Sequence, residues 1–228
     1  MYWIEIPKCG SSYIRRVFKQ EFLDKNLFYV GPSSEGYPWV SEQEFLNDTK
    51  AFSFAIVRNP FDWLVSYYVS GFHQSTRRGH LTNFIKVGKA TPEGFVDKSS
   101  GFYHKVIPCH NFETFVEGFF SNDDRNSYGY WQAQDPFFQI YQPDNTLVVK
   151  KKIKIENLEE ECKTLGLNPV FHFDKVLRCG EKADERKINA SRKGEDIYQN
   201  YYNTDLRRIV EDRWSDILQR EGYKFNEI

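Results

Sequence analysis

Methionine is almost missing from this 228-residue chain, with Met1 the single one. Without flexible thioethers to fill gaps, the core must be packed by stiffer side chains. The four cysteines, Cys9, Cys109, Cys162 and Cys179, form no CxxC pair, which argues against a zinc site and gives no disulfide framework. Free thiols in a reducing compartment are expected. A surplus of charge is also lacking: 31 basic residues face 32 acidic ones, for a net charge of −1. Nucleic-acid binders usually carry a basic excess, so that role is disfavoured, although a balanced total leaves room for a local cationic pocket. No apolar run approaches the ~20 residues of a membrane span. The opening MYWIEIPKCGSS has no basic stretch leading into a long apolar one, so a cytoplasmic protein with no membrane partner is expected. Internal repeats and low-complexity tracts are absent as well.

What the chain has in abundance is aromatic residues, at 17%, including 20 Phe and 14 Tyr. Such rings carry much of a core's buried apolar area, and some could line a ligand cleft. The length suits one domain spanning residues 1–228. Residues 2–6 and 51–57 (AFSFAIV) read as strands, the second an apolar run of the length expected for a strand covered on both faces. Residues 26–30 and 146–149, with Ile153 and Ile155, supply further strand candidates. Helical segments follow at 10–23, 60–72, 112–120 and 156–165. A C-terminal helix capped by Asn203 or Thr204 carries Leu206, Ile209, Val210, Ile217 and Leu218 on one face and closes at Gly222. Strands alternating with helices indicate an α/β fold with a central, mainly parallel sheet flanked by helices. The stretch around 74–145 reads as an irregular insertion or lid, its first part rich in Gly, Ser, Thr, Lys and His.

Two strand–loop–helix junctions carry the chemistry. The first is Pro7-Lys8-Cys9-Gly10-Ser11-Ser12. A helix N-terminus offers free N–H groups and a positive dipole end to an anion. Gly10 permits close backbone approach, Ser11 and Ser12 offer hydroxyls, and Lys8 adds a mobile charge. It is no Walker A loop, because the lysine precedes the glycine instead of following it. The second junction is Val57-Arg58-Asn59-Pro60, with Ser66 two helical turns on. An arginine at a strand's carboxyl end sits where open α/β sheets bind ligands, and its fork matches a phosphate monoester. A surface lysine in a tight turn, or an Arg58–Asp62 pair, is the plainer reading of either junction taken alone.

Together, in this order and spacing, the PKxGS-like loop and the VRNPxxxxVSYY segment resemble the sulfotransferases that use 3′-phosphoadenosine 5′-phosphosulfate (PAPS). The nearest branch is the one related to Golgi carbohydrate sulfotransferases and their bacterial and viral relatives. The resemblance implies a P-loop-like three-layer fold. It implies that Lys8, Cys9, Gly10, Ser11 and Ser12 hold the 5′-phosphosulfate, while Arg58 and Ser66 hold the 3′-phosphate. The segment INASRKG, at 188–194, resembles the family's C-terminal loop and adds Arg192, Lys193 and Gly194 to the nucleotide site. Cys9 stands where the family often has Thr.

The resemblance further implies PAPS as co-substrate, PAP as product, and an acceptor hydroxyl on a carbohydrate or a small molecule. No metal is called for. A base between the two loops should take the acceptor's proton, yet residues 9–57 hold no histidine. Glu35, Glu42, Glu44 and Asp48 remain there. Glu35, in a Gly/Ser/Pro-rich loop, ranks first, ahead of His104 or His110, then His73 and His80. Tyr128, Tyr130, Trp131 and Phe137 mark where an acceptor could dock, although core packing suits most of them. A kinase would instead need magnesium-dependent ATP binding, and a binding protein without turnover would hold PAP and transfer nothing.

Overall fold

The computed structural model describes residues 1–6, 8–10, 14–15, 18–24, 27–30, 38–77, 90–91, 94–95, 111–121, 133–165 and 197–226. These fall into two compact units, Met1–Arg58 with Gln139–Ala190, and Asn59–Phe138 with Ser191–Ile228. The strands of the main sheet are β1 (Tyr2–Ile4), β2 (Phe28–Val30), β3 (Trp39–Val40), β4 (Ser53–Val57) and β5 (Lys151–Lys154). The helices, in chain order, are α1 (Lys19–Leu23), α2 (Glu42–Asn47), α3 (Pro60–Arg77), α4 (Phe112–Phe120), α5 (Leu158–Thr164), α6 (Thr204–Arg213) and α7 (Ser215–Glu221). Of these, α1, α2 and α5 belong to the first unit.

In the first unit the strands pair in the order β3-β2-β1-β4-β5, every pair parallel. The α/β class with a parallel sheet and helices therefore stands. All five residues of β4 are buried, as the apolar run Phe54–Val57 requires, and the hydroxyl of Ser53 accepts from Lys150 N at 3.1 Å. Between β1 and β2, Ile14, Phe18 and Phe22 donate in turn to the carbonyls of Gly10, Ile14 and Phe18 at 2.9–3.0 Å. That four-residue step puts the three side chains on one stripe, and all are at most 1% exposed.

Of the strand candidates at 146–149 and around Ile153 and Ile155, the one at Ile153 forms, as Lys151–Lys154, while Leu147 makes only an isolated bridge to Tyr141. Ile153 anchors the strand, being fully buried and paired with Ile56 of β4. The lysines around it find polar partners. Lys151 pairs with Glu161 at 2.6 Å and Lys152 donates to the Tyr141 hydroxyl at 2.8 Å. Lysine suits an edge strand because its charge discourages pairing with another chain. Two further elements go beyond the expected set, the two-residue β3 and the polar α2, which Ser41 caps by accepting from Glu44 N at 3.2 Å.

The second unit is built on aromatic contacts. Trp63 stacks on Tyr67 with centroids 5.2 Å apart and meets Trp214 edge-on at 6.0 Å. Phe119 lies against Tyr67 and Phe115, each 5.7 Å away. The Trp214 indole N–H donates to the Ala133 carbonyl at 2.9 Å, so a fully buried ring keeps its one polar atom satisfied. Phe137 is likewise fully buried and serves the core instead of an acceptor cleft. The C-terminal helix is two helices, α6 and α7, meeting at Trp214 (φ −116°, ψ 25°). Asn203 caps α6 through Leu206 N at 2.8 Å, and Gly222, at φ 65°, closes α7 in the left-handed form. In the 74–145 stretch, the short strands Ala90–Thr91 and Gly94–Phe95 pair antiparallel, α4 follows, and most of the remainder lies outside the described residues. Among the described residues, no helix is long and apolar enough to cross a membrane.

Candidate active site

The strand order locates the site. From β1 the chain builds outward through β2 and β3, then returns to place β4 on the other side of β1. Open α/β sheets bind ligands beyond the carboxyl ends of their strands at such a reversal. The two strands flanking it here are β1 and β4, parallel with Ile4 opposite Ala55. The loop after β1 carries Lys8, Cys9 and Gly10, and the residue after β4 is Arg58.

The β1 loop is backbone-strained. Lys8 has φ 67° and Gly10 φ 81°. Glycine adopts that region freely, but a lysine there costs about 1–3 kcal/mol and persists only where its surroundings hold it. Cys9 N–H donates to the Ile6 carbonyl at 3.2 Å, closing a four-residue turn with Lys8 third. In turns that need positive φ at that position, glycine or asparagine is the usual occupant. The Cys9 side chain is 2% exposed and anchors the turn. At Gly10 an added Cβ would lie 2.7 Å from Ile155 Cδ1, so both backbone and space select glycine.

Arg58 reaches this turn directly, with Nη1 donating to the Lys8 carbonyl at 3.1 Å. A hydrogen bond from a charged donor contributes about 1.5–3 kcal/mol, the same size as the strain it faces. The structure thus brings Lys8, Cys9, Gly10 and Arg58 together at the switch point. A second ionic group stands at the neck of the loop. Glu5, just past β1, pairs with Arg15 on the following helix, and the Arg15 guanidinium lies 5.6 Å from the centre of the Tyr29 ring. Burial first, and then the Glu5 carboxylate, push the Tyr29 phenol up to about 12.

In the second unit Asn59 starts α3. Its carbonyl accepts from Trp63 N at 2.8 Å and its Oδ1 from Phe61 N at 3.1 Å, an N-cap followed by proline at the first helical position. Asn59 is 1% exposed, and its Nδ2 donates to the Lys224 carbonyl at 2.9 Å and the Tyr198 hydroxyl at 3.4 Å. Tyr198 in turn donates to the Phe225 carbonyl. Ser66 is buried on the second turn of α3. In the sequence, Asn59 reads merely as part of a turn. An Asn-Pro pair before an apolar helix is a capping signal, but the C-terminal partners are tertiary and leave no local trace.

For the base, geometry speaks against two of the candidates. Glu44 closes the Ser41 capping box, accepting from Ser41 N at 2.8 Å, and that backbone N–H holds its carboxyl below the usual range. Asp48 accepts from the Tyr2 hydroxyl at 2.9 Å, which with the Ala51 N–H lowers its pKa. Stabilised carboxylates of this kind are weak proton acceptors. Glu42 begins α2 and His73 lies within α3, with side chains outside the described residues. Glu35, Ser11, Ser12, His80, His104, His110, Arg192, Lys193 and Gly194, with the aromatic positions Tyr128, Tyr130 and Trp131, lie outside them altogether.

Fold and loops together define a class, an α/β protein with a lysine turn and an arginine at the switch point of a parallel sheet. The Sulfotransferase family model matches residues 1–225, and the chain belongs to that family. No curated protein gives a significant match.

Proposed function

We propose that this chain transfers a sulfuryl group from PAPS to an acceptor hydroxyl, on a carbohydrate or a small molecule, and releases PAP. One observation carries the reading: a lysine held in left-handed backbone in the loop beyond the carboxyl end of β1, tied to the arginine that follows β4. Strain of this kind accumulates where geometry serves a ligand. Family membership supplies the reaction class.

The acceptor oxygen attacks sulfur in line while the bond from sulfur to the bridging oxygen of the nucleotide phosphate breaks. Lys8 and the N–H groups of its loop, with Ser11 and Ser12, stabilise the charge that grows on that oxygen. Arg58 and Ser66 hold the 3′-phosphate, with Arg192, Lys193 and Gly194 completing that end. These contacts separate PAPS from ATP, which lacks the 3′-phosphate. Glu35 takes the acceptor proton as the bond to sulfur forms. The buried free thiols Cys9 and Cys162 suit a reducing, cytoplasmic setting.

The test is transfer of labelled sulfate from PAPS to a panel of sugar, phenol and alcohol acceptors, in wild type and Lys8→Ala. Transfer to one acceptor class, reduced about 10²-fold or more in Lys8→Ala as for loss of a key charge-stabilising group, supports the reading. PAP binding without transfer to any acceptor would leave a nucleotide-binding protein in its place.

A further inference from the structure

We infer that Arg58 is a positioning residue for the β1 loop in addition to its proposed contact with the 3′-phosphate, so that the 5′-phosphosulfate end of the site also depends on it. This rests on the reading above, and on one peptide group. The peptide joining Lys8 to Cys9 is held at both ends: its carbonyl accepts from Arg58 Nη1 at 3.1 Å, and its N–H donates to the Ile6 carbonyl at 3.2 Å. Two such bonds fix the plane of the peptide. They thereby brace the left-handed turn at Lys8, from which the chain runs on to Gly10.

Without the arginine, the carbonyl loses a charged donor of about the strength of the strain at Lys8. The turn can then relax toward ordinary backbone, and Lys8 and the loop amides leave the arrangement that receives the sulfate-bearing phosphate. Arg58 acts at this end through Lys8, without touching the 5′ group itself. A residue serving only the 3′-phosphate would have no influence there.

Adenosine 5′-phosphosulfate separates the two roles, because it differs from PAPS only in lacking the 3′-phosphate. Calorimetry on wild type, Arg58→Lys and Arg58→Ala should show the affinity for this truncated donor falling about tenfold in Arg58→Ala, equivalent to 1.4 kcal/mol. Arg58→Lys, with one mobile donor, should recover part of that loss. Hydrogen exchange on the nucleotide-free proteins should show the amides of Cys9 and Gly10 exchanging several-fold faster in Arg58→Ala, with those of α6 and α7 unchanged. Weakened PAPS binding with unchanged affinity for the truncated donor and unchanged exchange would overturn the inference and leave the proposed function standing. If wild type bound neither nucleotide, the proposed function would fall, and the exchange result alone would decide whether Arg58 holds the turn.

Discussion

Lys8 and Gly10 both adopt positive φ, yet their substitutions should act in opposite directions. Lys8→Gly relieves the backbone strain and should raise stability by about 1 kcal/mol while abolishing transfer. Gly10→Ala forces a side chain into left-handed backbone and against Ile155, and should cost at least about 1–2 kcal/mol. Urea denaturation of both variants is the check, and a Lys8→Gly protein no more stable than wild type would show that position 8 is unstrained. Tyr29 offers a second test beside the loop. Its phenol is pushed up to about 12, against about 10 in an unfolded chain. Folding therefore favours the neutral ring, and that contribution is complete below about pH 10 and lost as pH rises toward 12. The absorbance titration of wild type minus Tyr29→Phe should show one phenol ionising near 12, and a difference centred near 10 would contradict the buried, Glu5-facing environment. Neither property is written in the string PKCGSS. A glycine two places on suggests the turn, but the left-handed lysine follows from a tertiary bond to Arg58.

At the level of elements, the start of α3 has consequences at the end of the chain. Asn59→Ala removes a helix cap, worth about 1 kcal/mol, and leaves the Lys224 carbonyl and Tyr198 hydroxyl short of a donor, at about 1 kcal/mol more. A melting shift of roughly 4–8 °C should follow. Asn59→Ser, which keeps a capping oxygen but loses the donor, should fall between. An unchanged melting point in Asn59→Ala would mean that the cap and the C-terminal link carry no weight. Most of these elements are legible in the amino-acid sequence, because β4 is apolar from Phe54 to Val57, Pro60 marks a helix start, and Asn203 and Gly222 bracket the last helices. The extent of the strand at Lys151–Lys154 is hidden in part, since Ile153 marks it but the lysines around it read as surface until Ile153 is paired with Ile56. The break at Trp214 is hidden for a similar reason. A helical apolar stripe continues through it, and the interruption coincides with a bulky indole seated on Trp63, Phe119 and Phe120.

For the whole molecule, the joining of two distant loops is the main feature: the Arg58 guanidinium reaches the Lys8 backbone at the reversal in strand order. The resemblance to the sulfotransferases is what pairs the two loops, each of which follows a strand and precedes a helix in the amino-acid sequence. Spacing alone cannot show that they lie on adjacent strands, which is a property of sheet topology. The central claim, that the chain receives a 3′-phosphorylated nucleotide at this reversal, is most directly tested by thermal unfolding with PAP, ADP or magnesium-ATP, in wild type and Arg58→Ala. A ligand at 100 times its dissociation constant adds about 2.7 kcal/mol to the folded state, which is readily seen as a raised melting point. The account predicts a clear shift with PAP, little with ADP or magnesium-ATP, and loss of the PAP shift in Arg58→Ala. No shift with PAP, or an equal one with magnesium-ATP, would contradict it.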